Sequence, residues 1–251
     1  SVLFAFDNAN TVWAWTIESH KQLFTRSFAA AEVLDLLNAG SHRLVIVTDQ
    51  EILCYDTSSW KILWSAQNDF SISPSDHIAA SSDDSGLLAV ADVATDCIHL
   101  YDISSGKKLP DAVPDADGDL SPISIFFYGD GTMLAAECYD EKQNVRIALY
   151  NTKTESFALL PDKYTSIVGH LETDDGKMYV ADMLGKGIGT SSYGYYDAEF
   201  LYDSTCAISC YDLHTMKRLW EKDIPYQQIM YNAGMNEINF TDADGAAKKL
   251  L

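Results

Sequence analysis

The 251-residue sequence predicts an all-β protein assembled from repeated four-stranded antiparallel units. Three observations predict it. Apolar strands ending in a carboxylate recur at spacings of 42, 43, 45 and 45 residues. Each is followed by a second apolar strand that ends in an aromatic residue and a turn former. Acidic–glycine pairs stand upstream of several of the first strands. A fixed period of this length signals stacked repeats, and no helical period competes with it.

The first marker comprises LFAFD, VIVTD, LAVAD, MLAAE and MYVAD, ending at Asp7, Asp49, Asp92, Glu137 and Asp182. The second comprises TVWAWT (11–16), EILCYD (51–56), CIHLYD (97–102), RIALYN (146–151) and AISCYD (207–212). One and three residues before each aromatic lie Ala14 and Val12, Cys54 and Ile52, Leu100 and Ile98, Leu149 and Ile147, and Cys210 and Ile208, all apolar. The opposite face carries the aromatic and a mixed position: Trp13, Leu53, His99, Ala148 or Ser209. A strand apolar on both faces is covered on both sides. Turn signals at residues 83–86, 129–131 and 174–176 place glycine where a tight hairpin needs positive φ. Each repeat is therefore strand a, glycine turn, strand b ending in a carboxylate, loop, strand c ending in aromatic–Asp, turn, strand d. Blades sandwiched between neighbours in this way make a β-propeller. Five repeats are clear, at about 1–28, 29–68, 69–113, 114–162 and 163–225. A partial sixth covers 226–251, where Asn232 to Asp242 echoes Asn38 to Asp49 one residue shorter. The expectation is one propeller domain over residues 1–251. The chain opens at a strand b and closes soon after another, pointing to a window from a longer chain with a seven- or eight-bladed ring. A closed five- or six-bladed ring with an irregular closing blade is the alternative.

These segments resemble the broad class of WD-repeat, YVTN-type and quinoprotein-type propellers. GKMYVAD (176–182) with AISCYD (207–212) looks like a YVTN repeat interrupted by an insertion. LYDISSGKKL (100–109) is similar to the end of a WD repeat with Tyr101 in place of tryptophan, and 55–64 and 211–220 resemble the quinoprotein docking repeat ending in Trp64 or Trp220. The resemblance covers nearly the whole chain and implies architecture only. No repeat has the full Gly-His and Trp-Asp pair, and there is no adjacent cysteine pair of the quinone-binding subset.

With 37 acidic and 17 basic residues the net charge is −20, which repels nucleic acid and anionic membranes and favours cations and basic partners. No apolar run is long enough to span a bilayer as a helix. The five cysteines form no disulfide or zinc pattern; Cys206 and Cys210 lie about 13 Å apart along a strand, and a reduced, cytoplasmic setting is expected.

The carboxylates Asp7, Asp49, Asp92, Glu137, Asp182 and Asp242 share one position in the repeat and should form an arc on the b–c loop face. They serve either as an acidic rim for a cation or basic peptide, or as caps of their own turns. Residues 183–205 insert about twenty residues into the fifth b–c connection, a length uncommon without function. Lys186, Tyr193, Tyr195, Tyr196 and Tyr202 there have the Tyr/Gly/Ser composition of recognition surfaces; a hairpin packed on its neighbour is the other reading. Residues 185–189 lack the spacing of a phosphate loop, and a calcium loop counted from Asp115 fails at Phe126. The six histidines are scattered, and no nucleophile elbow or paired-histidine motif occurs. No catalytic, cofactor-binding or metal-ligating residue is assigned, and no cofactor. The expected function is a non-catalytic interaction scaffold for a protein or peptide, a basic one if charge selects it, using Asp49, Asp92, Glu137, Asp182 and the tyrosine loop. The alternative is a lactonase-like or quinoprotein-like enzyme, or a small-ligand or cation binder, using a central channel.

Overall fold

The computed structural model describes residues 1–40, 42–67, 79–82, 86–92, 94–114, 119–128, 131–165, 167–173, 176–183, 205–225, 228–232, 237–241 and 247–249. Among them every regular element is a strand, and the strands form six small sheets. The first holds β1 (Val2–Phe6), β2 (Thr11–Thr16) and β3 (Gln22–Ser27); the second holds β4 (Val33–Asn38), β5 (Arg43–Thr48), β6 (Glu51–Asp56) and β7 (Lys61–Gln67). The third holds β8 (Ala79–Ser82), β9 (Leu87–Asp92) and β10 (Cys97–Asp102); the fourth β11 (Leu120–Tyr128), β12 (Met133–Asp140), β13 (Val145–Asn151) and β14 (Ser156–Leu159). The fifth holds β15 (Ile167–Thr173), β16 (Lys177–Met183), β17 (Thr205–Asp212) and β18 (Lys217–Pro225); the sixth β19 (Gln228–Asn232), β20 (Glu237–Thr241) and β21 (Ala247–Lys249). Strand order follows chain order in each sheet. The chain divides into two compact units, residues 1–137 with 150–157 and residues 138–149 with 158–251, the division falling within the fourth sheet. Among the described residues no helix is long and apolar enough to cross a membrane.

Alternation along β5 and β6 explains how the first unit is held together. Leu44, Ile46, Leu53 and Tyr55 form one buried cluster with Val33 of β4 and with Val12 and Phe28 of the first repeat. Val45, Val47, Ile52 and Cys54 form another with Leu88, Val90 and Tyr101 of the third sheet and Ile103 just past β10. The second sheet is thus buried on both faces. Each such aliphatic side chain contributes about 1.5–3 kcal/mol when fully enclosed. All ten strand-c positions expected to be apolar and inward are buried, from Val12 and Ala14 to Ile208 and Cys210. The aromatics closing these strands, Tyr55, Tyr101, Tyr150 and Tyr211, are buried as well.

The turn after each strand c has a fixed construction. The side chains of Asp56, Asp102, Asn151 and Asp212 accept backbone N–H bonds from residues two or three further on, such as Ser59, Ser105, Thr154 and Thr215. Four residues after the acceptor the backbone turns left-handed, at Trp60, Gly106, Glu155 and Met216, with φ between 52° and 70°. In the first repeat Thr16 and His20 hold the same places, but the Thr16 hydroxyl accepts from the Lys21 N–H, five residues on. Where the register across the c–d hairpin is defined, it shifts at the residue before this turn's strand ends, at Ala14/Trp15, Cys54/Tyr55 and Cys210/Tyr211. This is the bulge that matches hairpin twist to strand twist.

Trp64 of β7 links the second and third sheets. Its ring lies over Gly106 and its Nε1–H donates to the Ile103 carbonyl at 2.7 Å. A Cβ at position 106 would lie 2.5 Å from that ring, so only glycine fits.

The third sheet departs from the four-strand expectation. Residues 108–112 run beside β10 through two isolated bridges, Tyr101 with Lys108 and Ile98 with Ala112. Pro110 has no N–H to donate and interrupts the ladder between them. This irregular edge brings Asp111 over the end of the β9–β10 hairpin.

Candidate functional site

The strand-b carboxylates share a place in the repeat and not a role. Asp7, just past β1, caps its own loop, accepting from the N–H groups of Ala9 at 2.9 Å and Thr11 at 3.0 Å. Asp49, just past β5, instead accepts from Glu32 N–H at 2.7 Å and so fixes the residue leading into β4. Asp182, buried near the end of β16, accepts from Thr165 N–H at 3.1 and 3.2 Å in the same manner ahead of β15. Antiparallel pairing explains this, since strand b ends where strand a begins.

Contrary to what the repeat pattern predicts, Glu137 does not end its strand, because β12 runs on to Asp140. Asp140 does the capping, accepting from Lys142 and Asn144 N–H at 2.9 Å each, with Gln143 left-handed as Asn10 is after Asp7. Lys163, 2.7 Å away, and Asn144 hold the Asp140 carboxyl well below the usual carboxylate range. The Glu137 carboxyl lies within the strand, and its desolvation raises its pKa to about 7. Asp242, Lys186, Tyr193, Tyr195, Tyr196 and Tyr202 lie outside the described residues.

Asp92 is different again, because it belongs to a buried cluster that spacing alone does not reveal. It ends β9, and Cys97 begins β10 directly opposite it. His99 follows on the same face of β10 as Cys97. All three are buried, at 3%, 7% and 6% exposure, and one ligand atom from each lies within 4.8 Å of the others. His99 Nε2 is 3.4 Å from Asp92 Oδ2, and Cys97 Sγ is 3.8 and 3.9 Å from the two ring nitrogens. His99 Nδ1 meets Asp111 Oδ1 at 2.8 Å, and Lys108 Nζ stands 3.4 Å from the same oxygen. Thr95 donates to Asp92 Oδ2 at 2.5 Å and lies 3.0 Å from Cys97 Sγ. The Ala94 N–H donates to Asp92 Oδ1 at 2.9 Å.

Burial pushes the Cys97 thiol up; Thr95 opposes this and the carboxylates of Asp111 and Asp92 add to it. For Asp111 burial works upward too, but His99 and Lys108 outweigh it and hold the carboxyl below its ordinary value. A thiol so disfavoured as a thiolate is a poor unaided nucleophile. The sequence holds one signal for this group: a carboxylate and a Cys-x-His pair at opposite ends of a four-residue hairpin loop. Asp111 reaches His99 from the irregular segment bridged to β10 and has no signal of its own in the sequence.

The second unit holds a separate buried chain, in which Tyr164 donates to Tyr211 Oη at 2.5 Å and Tyr211 donates to Asp162 at 2.7 Å. Burial raises the Tyr211 pKa to about 12. Asp162 also faces Arg218 at 3.2 Å.

No protein-family model matches the chain, and no curated protein matches it. Solved structures do. The computationally designed Ika8 protein aligns over 99% of this chain and 67% of its own with TM-score 0.64 and 13% identity. A chain of the Mitotic Checkpoint Complex aligns over 100% of this chain and 73% of its own with TM-score 0.62 and 11% identity. At these identities the likeness concerns the fold alone. Fold and site together define an all-β protein of serial antiparallel sheets carrying buried polar clusters at its hairpin ends.

Proposed function

We propose that this chain is a β-propeller whose sheets are its blades, and that it works as a non-catalytic platform for a basic protein or peptide. Support for the propeller comes from the second sheet, which is covered on both faces by its chain neighbours, and from the contacts of β4 with both β1 and β8.

The observation that carries the binding reading is the pair Asp7 and Asp49. Both are exposed at the b–c ends of consecutive repeats, and backbone N–H groups fix one oxygen of each. Anchored, exposed carboxylates on a chain of net charge −20 offer a preorganised negative surface. The test is fluorescence anisotropy with a labelled Lys/Arg-rich dodecapeptide and a neutral control of equal length. Binding should be selective for the basic peptide, weaken with salt, and fall on Asp7→Asn with Asp49→Asn or on deletion of 184–204. Equal affinity for both peptides, or binding unmoved in the folded variants, would overturn the reading.

A further inference from the structure

We infer that Asp92, Cys97 and His99 form a divalent transition-metal site, of the kind that takes Zn2+, with Asp111 as the residue that orients the histidine. The inference stands on the placement of four groups and is independent of any partner-binding surface.

The donor set comes first. A thiolate, an imidazole and a carboxylate are the three protein ligands that zinc takes, and three of them leave a fourth tetrahedral position for water. Calcium and magnesium, which require all-oxygen shells, do not suit a site holding sulfur and nitrogen.

The distances come next. Zinc bonds of about 2.0–2.3 Å set neighbouring ligand atoms about 3.3–3.8 Å apart around a tetrahedron. Nε2 to Oδ2 is 3.4 Å and Sγ to Nε2 is 3.9 Å. The first is long for a direct hydrogen bond and matches an edge of that tetrahedron; the second lies just outside it, with Sγ equally near Nδ1 at 3.8 Å. The three ligand atoms lie within 4.8 Å of one another, so metal binding would require the Cys97 side chain to turn inward.

The surrounding groups point the same way. Asp111 Oδ1 sits 2.8 Å from Nδ1, so an Nδ1–H donor makes Nε2 the metal-binding nitrogen, with Asp92 Oδ2 3.4 Å away; Cys97 Sγ, as near to Nδ1 as to Nε2, would join them by rotation about its Cα–Cβ bond. That carboxylate–histidine arrangement is the usual outer support of a metal-bound imidazole. Thr95 holds the oxygen of Asp92 that faces the histidine, and the Ala94 N–H holds the other. Charge also balances: a dication offsets the Asp92 carboxylate and the Cys97 thiolate in a buried place, while Lys108 faces Asp111. Metal binding would release the Cys97 proton to solvent, which makes the affinity rise with pH.

The competing account is a metal-free cluster in which an imidazolium bridges two carboxylates. Cobalt distinguishes the two, because a thiolate ligand gives Co2+ a near-ultraviolet charge-transfer band and a tetrahedral shell gives strong visible bands. The full chain, reduced and stripped with chelator, is titrated with CoCl2 and then ZnCl2. One cobalt per chain should bind with both features, and zinc should displace it. Cys97→Ala and His99→Gln should each abolish the charge-transfer band, whereas Cys54→Ala, a buried cysteine of the second sheet, should keep it. Asp111→Asn should preserve the band and weaken zinc affinity about 10–100-fold. If Cys97→Ala does not fold, the wild-type spectrum and His99→Gln still decide. Absence of the thiolate band from the folded wild type, or its persistence in folded Cys97→Ala, would overturn the inference.

Discussion

Glu137 has a side chain whose chemistry is set by a shift of three residues. Because β12 continues to Asp140, the capping role passes to Asp140 and Glu137 is left within the strand with its carboxyl desolvated. Its pKa of about 7 in the folded protein stands above the ordinary 4.5, so the native state binds the extra proton between those values. Stability should therefore fall as pH rises from about 4.5 to about 7, by up to roughly 3 kcal/mol, and level off above it. The turn carboxylates Asp56, Asp102 and Asp212 act in the opposite sense: their lowered values add stability that is lost only as pH falls through and below the ordinary carboxylate value. The two windows do not overlap. Urea unfolding of wild type and Glu137→Gln across this range tests the claim: the wild-type slope should be missing from the variant. Identical slopes would mean that Glu137 ionises normally.

At the scale of elements, turn geometry matters more than turn composition. Five c–d turns adopt one left-handed position, yet only Gly106 fills it with glycine; His20, Trp60, Glu155 and Met216 fill the others. Glycine at 106 answers to Trp64, which occupies the space a Cβ would need. Gly86 has the same backbone sign, at φ +65°, with nothing within 4 Å of a Cβ. Alanine at 86 should thus cost only the left-handed penalty of about 1 kcal/mol. Alanine at 106 adds overpacking against an indole that bonds Ile103, for a total of roughly 2–4 kcal/mol. Chemical denaturation of Gly86→Ala and Gly106→Ala measures the difference, and equal losses would remove Trp64 from the account. The strands themselves were legible because period-two alternation and acidic–glycine turns are local signals. The Asp92 cluster was not, since its members meet across a hairpin and through a proline-broken edge. The Glu137 displacement was hidden for a similar reason: strand length, unlike strand identity, depends on the partner strands.

Over the whole molecule, charge is a property the sequence states outright and the fold must accommodate. With 37 acidic against 17 basic residues, even complete pairing would leave 20 carboxylates without a cation. The ion pairs that do form among described side chains include largely exposed ones, such as Lys108 with Asp111 and Arg218 with Glu221. Pairs of this kind contribute about 0–1 kcal/mol each, and screening them costs correspondingly little. Repulsion among the surplus carboxylates acts over about 10 Å at 0.1 M salt and about 30 Å at 0.01 M, so dilute buffer lets many of them interact at once. Screening should therefore relieve more repulsion than it removes attraction, and the folded state should gain. Thermal unfolding in about 0.01 M and about 0.3 M sodium chloride at neutral pH should show Tm rising by several degrees with salt. Chloride is the chosen anion because sulfate would strengthen apolar burial by a separate route. A Tm that falls with added chloride would mean that local pairs such as Lys163 with Asp140 outweigh the global field, and that the acidic surface is balanced where it matters for folding.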